Sequence, residues 1–168
     1  MAFKESTTIA HPPADVFSAL AGEDFNRKVT EGLGGELVAF ERQGEPAGPV
    51  SVTMIRSVPV HRLPEAVQKF AGKFLGDKLR LEQQENWSAP AADGSRTGQL
   101  VITVGAAKAT ATAEQRLVPT ESGTDVQVDG YVECKIPLVG SKLAQAAEPR
   151  VGKVLARQSR EVTAWLDR

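Results

Sequence analysis

The chain has 168 residues, 41% hydrophobic and 24% charged, with a net charge of −1, an ordinary globular composition that reads as one domain over 1–168 and buries about 70% of its unfolded surface without staples. The near-neutral charge excludes a global basic field for nucleic acid or an acidic membrane. One cysteine, Cys134, excludes an internal disulfide, no Cys/His spacing suggests zinc, and neither a signal-peptide pattern nor an apolar run of spanning length occurs, so a cytoplasmic protein is the expectation.

Phe3, Glu5, Thr7 and Ile9 alternate with Lys4, Ser6 and Thr8, which predicts a strand. Pro12 and Pro13 end it, since neither can donate to a ladder. Pro13 suits the first position of a helix and Asp15 its positive end, with Val16, Phe17 and Leu20 as the apolar face. Pro12 at the N-cap has neither a side-chain acceptor nor an N–H, so a reciprocal capping box is excluded. A second short helix follows, with Phe25 and Val29 one turn apart, closing at Gly32 to Gly35. Strands are expected at roughly 36–43 and 50–58, then a helix near 64–75 with Val67, Phe70, Ala71 and Phe74 on its apolar face. Further strands run through 79–88, "QLVITVG", "KATATAEQRLV" and "TDVQVDGYVECKI". From Leu138 on, Leu143, Ala147, Val151, Val154, Val162 and Trp165 recur at helical spacing as one apolar stripe. Pro149 costs the bond to the Gln145 carbonyl and predicts a kink or two abutting helices. Strands with helices segregated to the ends read as α+β with an antiparallel sheet.

Three stretches resemble the START-like superfamily, also called helix-grip or SRPBCC, with its polyketide cyclases, pollen-allergen-type proteins and lipid-transfer domains. They are the "HPPADVFSAL" opening, the "VPTESGTDVQVDGYVE" turn into the last strand, and the "IPLVGSKL…VTAWL" helix. The resemblance covers nearly the whole chain, and the Pro-Leu-Val-Gly helix start and the "LPEAVQKFAGKFL" segment look like a branch of unknown function. It implies a curved antiparallel sheet of about seven strands wrapped around the long C-terminal helix, with two short helices after the first strand. It also implies a cavity between sheet and helix for a sterol, lipid or polyketide-like molecule. Val52, Met54, Arg56, Leu81, Gln83, Glu85 and Trp87 would line that cavity from the sheet, and Leu143, Val151 and Val154 from the helix. Aromatics are only 5%, so the lining would be mainly aliphatic.

The informative departure is a charge in the apolar phase of a strand. Arg56 shares its phase with Val50, Val52, Met54 and Val58; Glu85 shares its own with Leu79, Leu81, Gln83 and Trp87. If those faces turn inward, each charge needs a partner or water, and the two either pair or jointly orient a polar head group. The alternative is that the phase slips near the strand ends and both sit at a wet rim. Tyr131 falls in a polar phase and Cys134 in an apolar one, which favours a surface tyrosine and a small buried hydrophobe over a nucleophile. His61 falls in a loop at the expected cavity mouth, and "GLGG" at 32–35 reads as helix-ending turn chemistry. No hydrolase elbow, phosphate loop or kinase signature occurs, and no cofactor is implied. Lys142, Arg150, Lys153, Arg157 and Arg160 fall within about 80° on the helical wheel, a solvated face or a contact for anionic lipid or an acidic partner. The expected function is binding or carrying a small hydrophobic or amphipathic molecule. The alternatives are a cyclase or hydratase-type enzyme using Arg56 and Glu85, and a non-catalytic interaction module using the basic stripe.

Overall fold

The computed structural model describes residues 2–63, 65, 68–69, 76–105, 108–138 and 140–168, with the main chain alone at 147–149 and 151. Strand β1 (Ala2–Ile9) is followed by helices α1 (Pro13–Leu20) and α2 (Glu23–Gly32). Strands β2 (Glu36–Gln43) and β3 (Val50–Pro59) come next, then a short 3-10 turn at Val60–Arg62. Strands β4 (Lys78–Trp87), β5 (Arg96–Val104), β6 (Ala109–Thr120) and β7 (Gly123–Cys134) lead to the C-terminal helix α3 (Gly140–Leu166). The seven strands form one sheet in the order β1-β7-β6-β5-β4-β3-β2, antiparallel at every step.

The proline pair works as its chemistry dictates. Pro12 is the extended N-cap of α1 without a side-chain cap bond, and Pro13 is the first helical residue. The Pro12 carbonyl starts the helix by accepting from the N–H groups of Asp15 (3.0 Å) and Val16 (3.1 Å). Helix α1 then buries Val16, Phe17, Ala19 and Leu20, and α2 buries Phe25, Asn26 and Thr30.

Helix α3 packs chiefly on β1 and β7 and against α1 and α2, so it covers one side of the sheet's concave face. A 2.6 Å contact between the Thr7 and Ser159 hydroxyls ties it to β1, and His11 Nε2 meets Asp167 Oδ1 at 2.6 Å beyond its end. One helix, not two, spans Pro149; a proline removes a single hydrogen bond, and the flanking turns keep theirs. Of the helix expected near 64–75, residues 65, 68 and 69 are helical and the rest lies outside the described residues.

Apolar packing is divided in two. The larger cluster joins Ile9, Val16, Phe17, Leu20, Phe25, Val52, Met54, Trp87, Leu117, Val126, Val128 and Val162 beneath α1 and α2. The smaller joins Val60, Leu79, Ile136 and Leu143 at the opposite end of the sheet.

Candidate functional site

A chain of buried polar groups runs along the inner face of β3 and β4. Strand pairing sets Arg56 opposite Leu81, Met54 opposite Gln83 and Val52 opposite Glu85. Arg56 and Glu85 are thus offset by four residues, about 13 Å at 3.3–3.4 Å per residue, too far to pair directly. The Gln83 amide fills the gap: its Oε1 accepts from Arg56 NH1 at 2.8 Å and its Nε2 donates to Glu85 Oε2 at 2.9 Å. Trp87 Nε1 donates to Glu85 Oε1 at 3.0 Å, and Arg56 NH2 donates to Asn26 Oδ1 at 2.6 Å. Asn26 has its orientation fixed from behind, because its Nδ2 donates to the carbonyls of Leu20 (2.9 Å) and Gly22 (2.7 Å). One asparagine therefore joins the α1–α2 junction to the sheet.

Burial sets the electrostatics. Glu85 is 4% exposed, and loss of water pushes its carboxyl above the ordinary range, opposed by the bonds from Trp87 and Gln83 and by the Arg56 charge. Burial likewise presses Arg56 below its ordinary value, against the pull of Glu85. Two buried N–H groups on this face, Arg56 Nε and Gln115 Nε2, meet no acceptor among the described residues; such donors suit the oxygen atoms of a polar group.

Beside this chain the concave face changes character row by row, since paired residues on neighbouring strands share a face. The row Trp87–Gly98–Gln115–Val128 is wholly buried. In the next, Glu85 is buried while Leu100 and Ala113 are partly exposed, and in the third Gln83 is buried while Ile102 and Ala111 are partly exposed. Among the described residues Leu100, Ile102 and Ala111 belong to neither apolar cluster. The centre of the sheet, between its two buried ends, thus presents small and aliphatic side chains that are partly exposed.

Val52, Met54, Gln83, Glu85 and Trp87 are buried on this face and Arg56 and Leu81 partly so, so the strand phase does not slip to a wet rim. Leu143 is buried at the far end with Ile136 and Val60, away from the polar chain. Val154 is 63% exposed and is not brought to the site. Successive helical residues differ by about 100°, and the covered face of α3 runs through Ala144, Leu155 and Val162, a full residue step around from Val154. The side chain of Val151 lies outside the described residues. Lys142, Arg150, Lys153, Arg157 and Arg160 are all exposed, with Arg157 paired to Glu161 at 3.0 Å. Tyr131 is 50% exposed and Cys134 half-buried.

Sequence reading missed Asn26 and Arg96. Asn26 carried a usable signal, a polar residue beside Phe25 and one turn before Thr30 on the covered side of α2. Arg96 carried none, because its acceptors are main-chain carbonyls of two loops.

The fold is that of solved START-like structures. A STAR-related lipid transfer protein from Xanthomonas axonopodis is 14% identical, with a TM-score of 0.58 over 99% of this chain and 86% of its own. Ara h 8.0201 is 13% identical, with a TM-score of 0.54 over 98% of this chain and 96% of its own. The Zhui aromatase/cyclase from a Streptomyces species is 13% identical, with a TM-score of 0.51 over 98% of this chain and 89% of its own. A search of curated proteins finds no match. No helix among the described residues is long and apolar enough to cross a membrane. Residues 4–166 match the family model described as "Protein of unknown function (DUF2505)", and the chain belongs to that family.

Proposed function

We propose that this member of the DUF2505 family holds one small amphipathic molecule on the concave face of its sheet. The apolar part would lie against Leu100, Ile102 and Ala111, and the polar end toward Arg56. The observation that carries the reading is the partial exposure of those three side chains on central strands, outside both core clusters. A filled core covers such positions; a face meant for a ligand leaves them to be covered by it. The unpartnered donor Arg56 Nε supplies a hydrogen bond for the polar end. Resemblance to a lipid transfer protein and to an aromatase/cyclase supports the same general use of the fold.

Binding is favoured over cyclase chemistry by the state of Glu85. Both of its oxygens are already engaged, one by Gln83 and one by Trp87, so the carboxyl serves to hold the wall rather than to meet a reacting atom.

Native mass spectrometry after incubation with long-chain fatty acids and a sterol tests the reading. A one-to-one complex is expected, and Ala111→Trp, which fills the open face, should cut the bound fraction about tenfold without lowering Tm. Only ligand-free protein, or full binding by Ala111→Trp, would overturn the proposal.

A further inference from the structure

A cleft of about 160 Å³ opens elsewhere, between the start of α1 and the loops that join β2 to β3 and β4 to β5. At about 30 Å³ per water, it has room for roughly five waters. Ala14, Phe17 and Ser18 of α1 line one wall, and Arg42 and Arg96 the other.

The two arginines are placed differently. Arg96 is 5% exposed and lies 3.5 Å over the centre of the Phe17 ring. Its Nε donates to the Ser88 carbonyl at 2.8 Å, NH1 to Pro46 at 2.9 Å and NH2 to Gly48 at 2.7 Å. Arg42 lies 5.6 Å from the same ring and donates once, from NH1 to the Ala21 carbonyl at 3.2 Å. Each guanidinium has five N–H donors, so among the described residues four of Arg42's and two of Arg96's make no hydrogen bond. Among the described residues no carboxylate comes within 4.0 Å of either group. Asp93, the acid of the β4–β5 turn, instead accepts from the Ser95 N–H at 2.9 Å. Burial, and then the neighbouring Arg42 charge, press Arg96 below its ordinary value.

A fold that needed only a staple for its loops has one in Arg96. A second cation on the same ring adds repulsion, unless a counter-charge of stated geometry comes from outside the chain. We infer that this cleft is a site for a small oxyanion of the phosphate class, gripped between Arg42 and Arg96. Two cations match a dianion, and guanidinium forks match tetrahedral phosphate oxygens. Ala14 and Ser18, one turn apart, add the positive end of the α1 dipole and a hydroxyl. The source is free phosphate or a phosphomonoester. The site does not depend on the concave face.

Phosphorus NMR and thermal unfolding of the full chain, titrated with inorganic phosphate at constant ionic strength against chloride, test this. Saturable line broadening and a rising Tm are expected for the wild type. Arg42→Gln, which leaves the three Arg96 bonds in place, should weaken binding at least tenfold. Ser18→Glu, which brings a carboxylate of the chain's own to the cleft, should do the same. Glycerol phosphate binding more tightly than inorganic phosphate assigns the site to a phosphomonoester, and equal or weaker binding assigns it to the free ion. Phosphate acting no differently from chloride, or both variants binding like the wild type, overturns the inference.

Discussion

The Glu85 carboxyl loses its water on folding, and burial raises its pKa above the ordinary 4.5. The folded state therefore holds that proton more tightly than the unfolded chain does. The resulting stability is fully present below pH 4.5 and is lost as pH rises through the folded value. Glu85→Gln removes the titration. Urea unfolding at stepped pH should show the wild type losing stability relative to the variant from pH 4.5 upward, while parallel curves would contradict this sign. Alternation in the sequence placed Arg56 and Glu85 in the apolar phases of their strands, because side-chain direction along a strand is a local property, and left open whether those phases slip to a wet rim. Their four-residue offset was not legible, since register depends on which residues of β3 and β4 meet. That offset makes Gln83 the link between the charges. Asn26 had a local signal on the covered side of α2, but its link to the sheet had none: three of its four hydrogen-bond partners lie within six residues, and only Arg56 is distant.

The element boundaries were the most legible feature. Proline chemistry located the β1–α1 junction, and period-two alternation located the strands within a few residues. Helix α3 was legible in extent and less so in orientation, because its stripe could be rotated by one residue and still look apolar, as Val154 shows. Between β4 and β5 the decisive residue has no side chain at all. A Cβ on Gly98 would lie 2.7 Å from Cδ2 and Cε3 of Trp87, its partner across the ladder. The indole is meanwhile held by Glu85 and by edge-to-face packing with Phe17 at 5.3 Å. Gly98→Ala is expected to destabilise by about 1–3 kcal/mol, the usual cost of overpacking, read as a lower urea midpoint with an unchanged slope. A neutral result would mean that the ring has room to move.

At the scale of the molecule, the first strand finds its neighbour only far along the chain. Among the described residues strand β1 pairs only with β7, and it lies beneath α3. A chain beginning at Ala10 would leave one sheet edge bare and the helix without much of its support. It should show no cooperative thermal transition by circular dichroism; a sharp transition near the wild-type Tm would refute that dependence. The same arrangement bears on synthesis. The partner of Ile9, Thr124, is made more than a hundred residues after it, on the order of ten seconds at 5–20 residues per second. For that interval the strand's native partner does not yet exist. Lys4, Glu5, Ser6, Thr7 and Thr8 make this waiting segment one that water tolerates, and among its apolar side chains Ile9 alone becomes fully buried on arrival. The polarity of the first ten residues is thus what a ribosome-bound chain needs from a strand that must stay single until its neighbour exists.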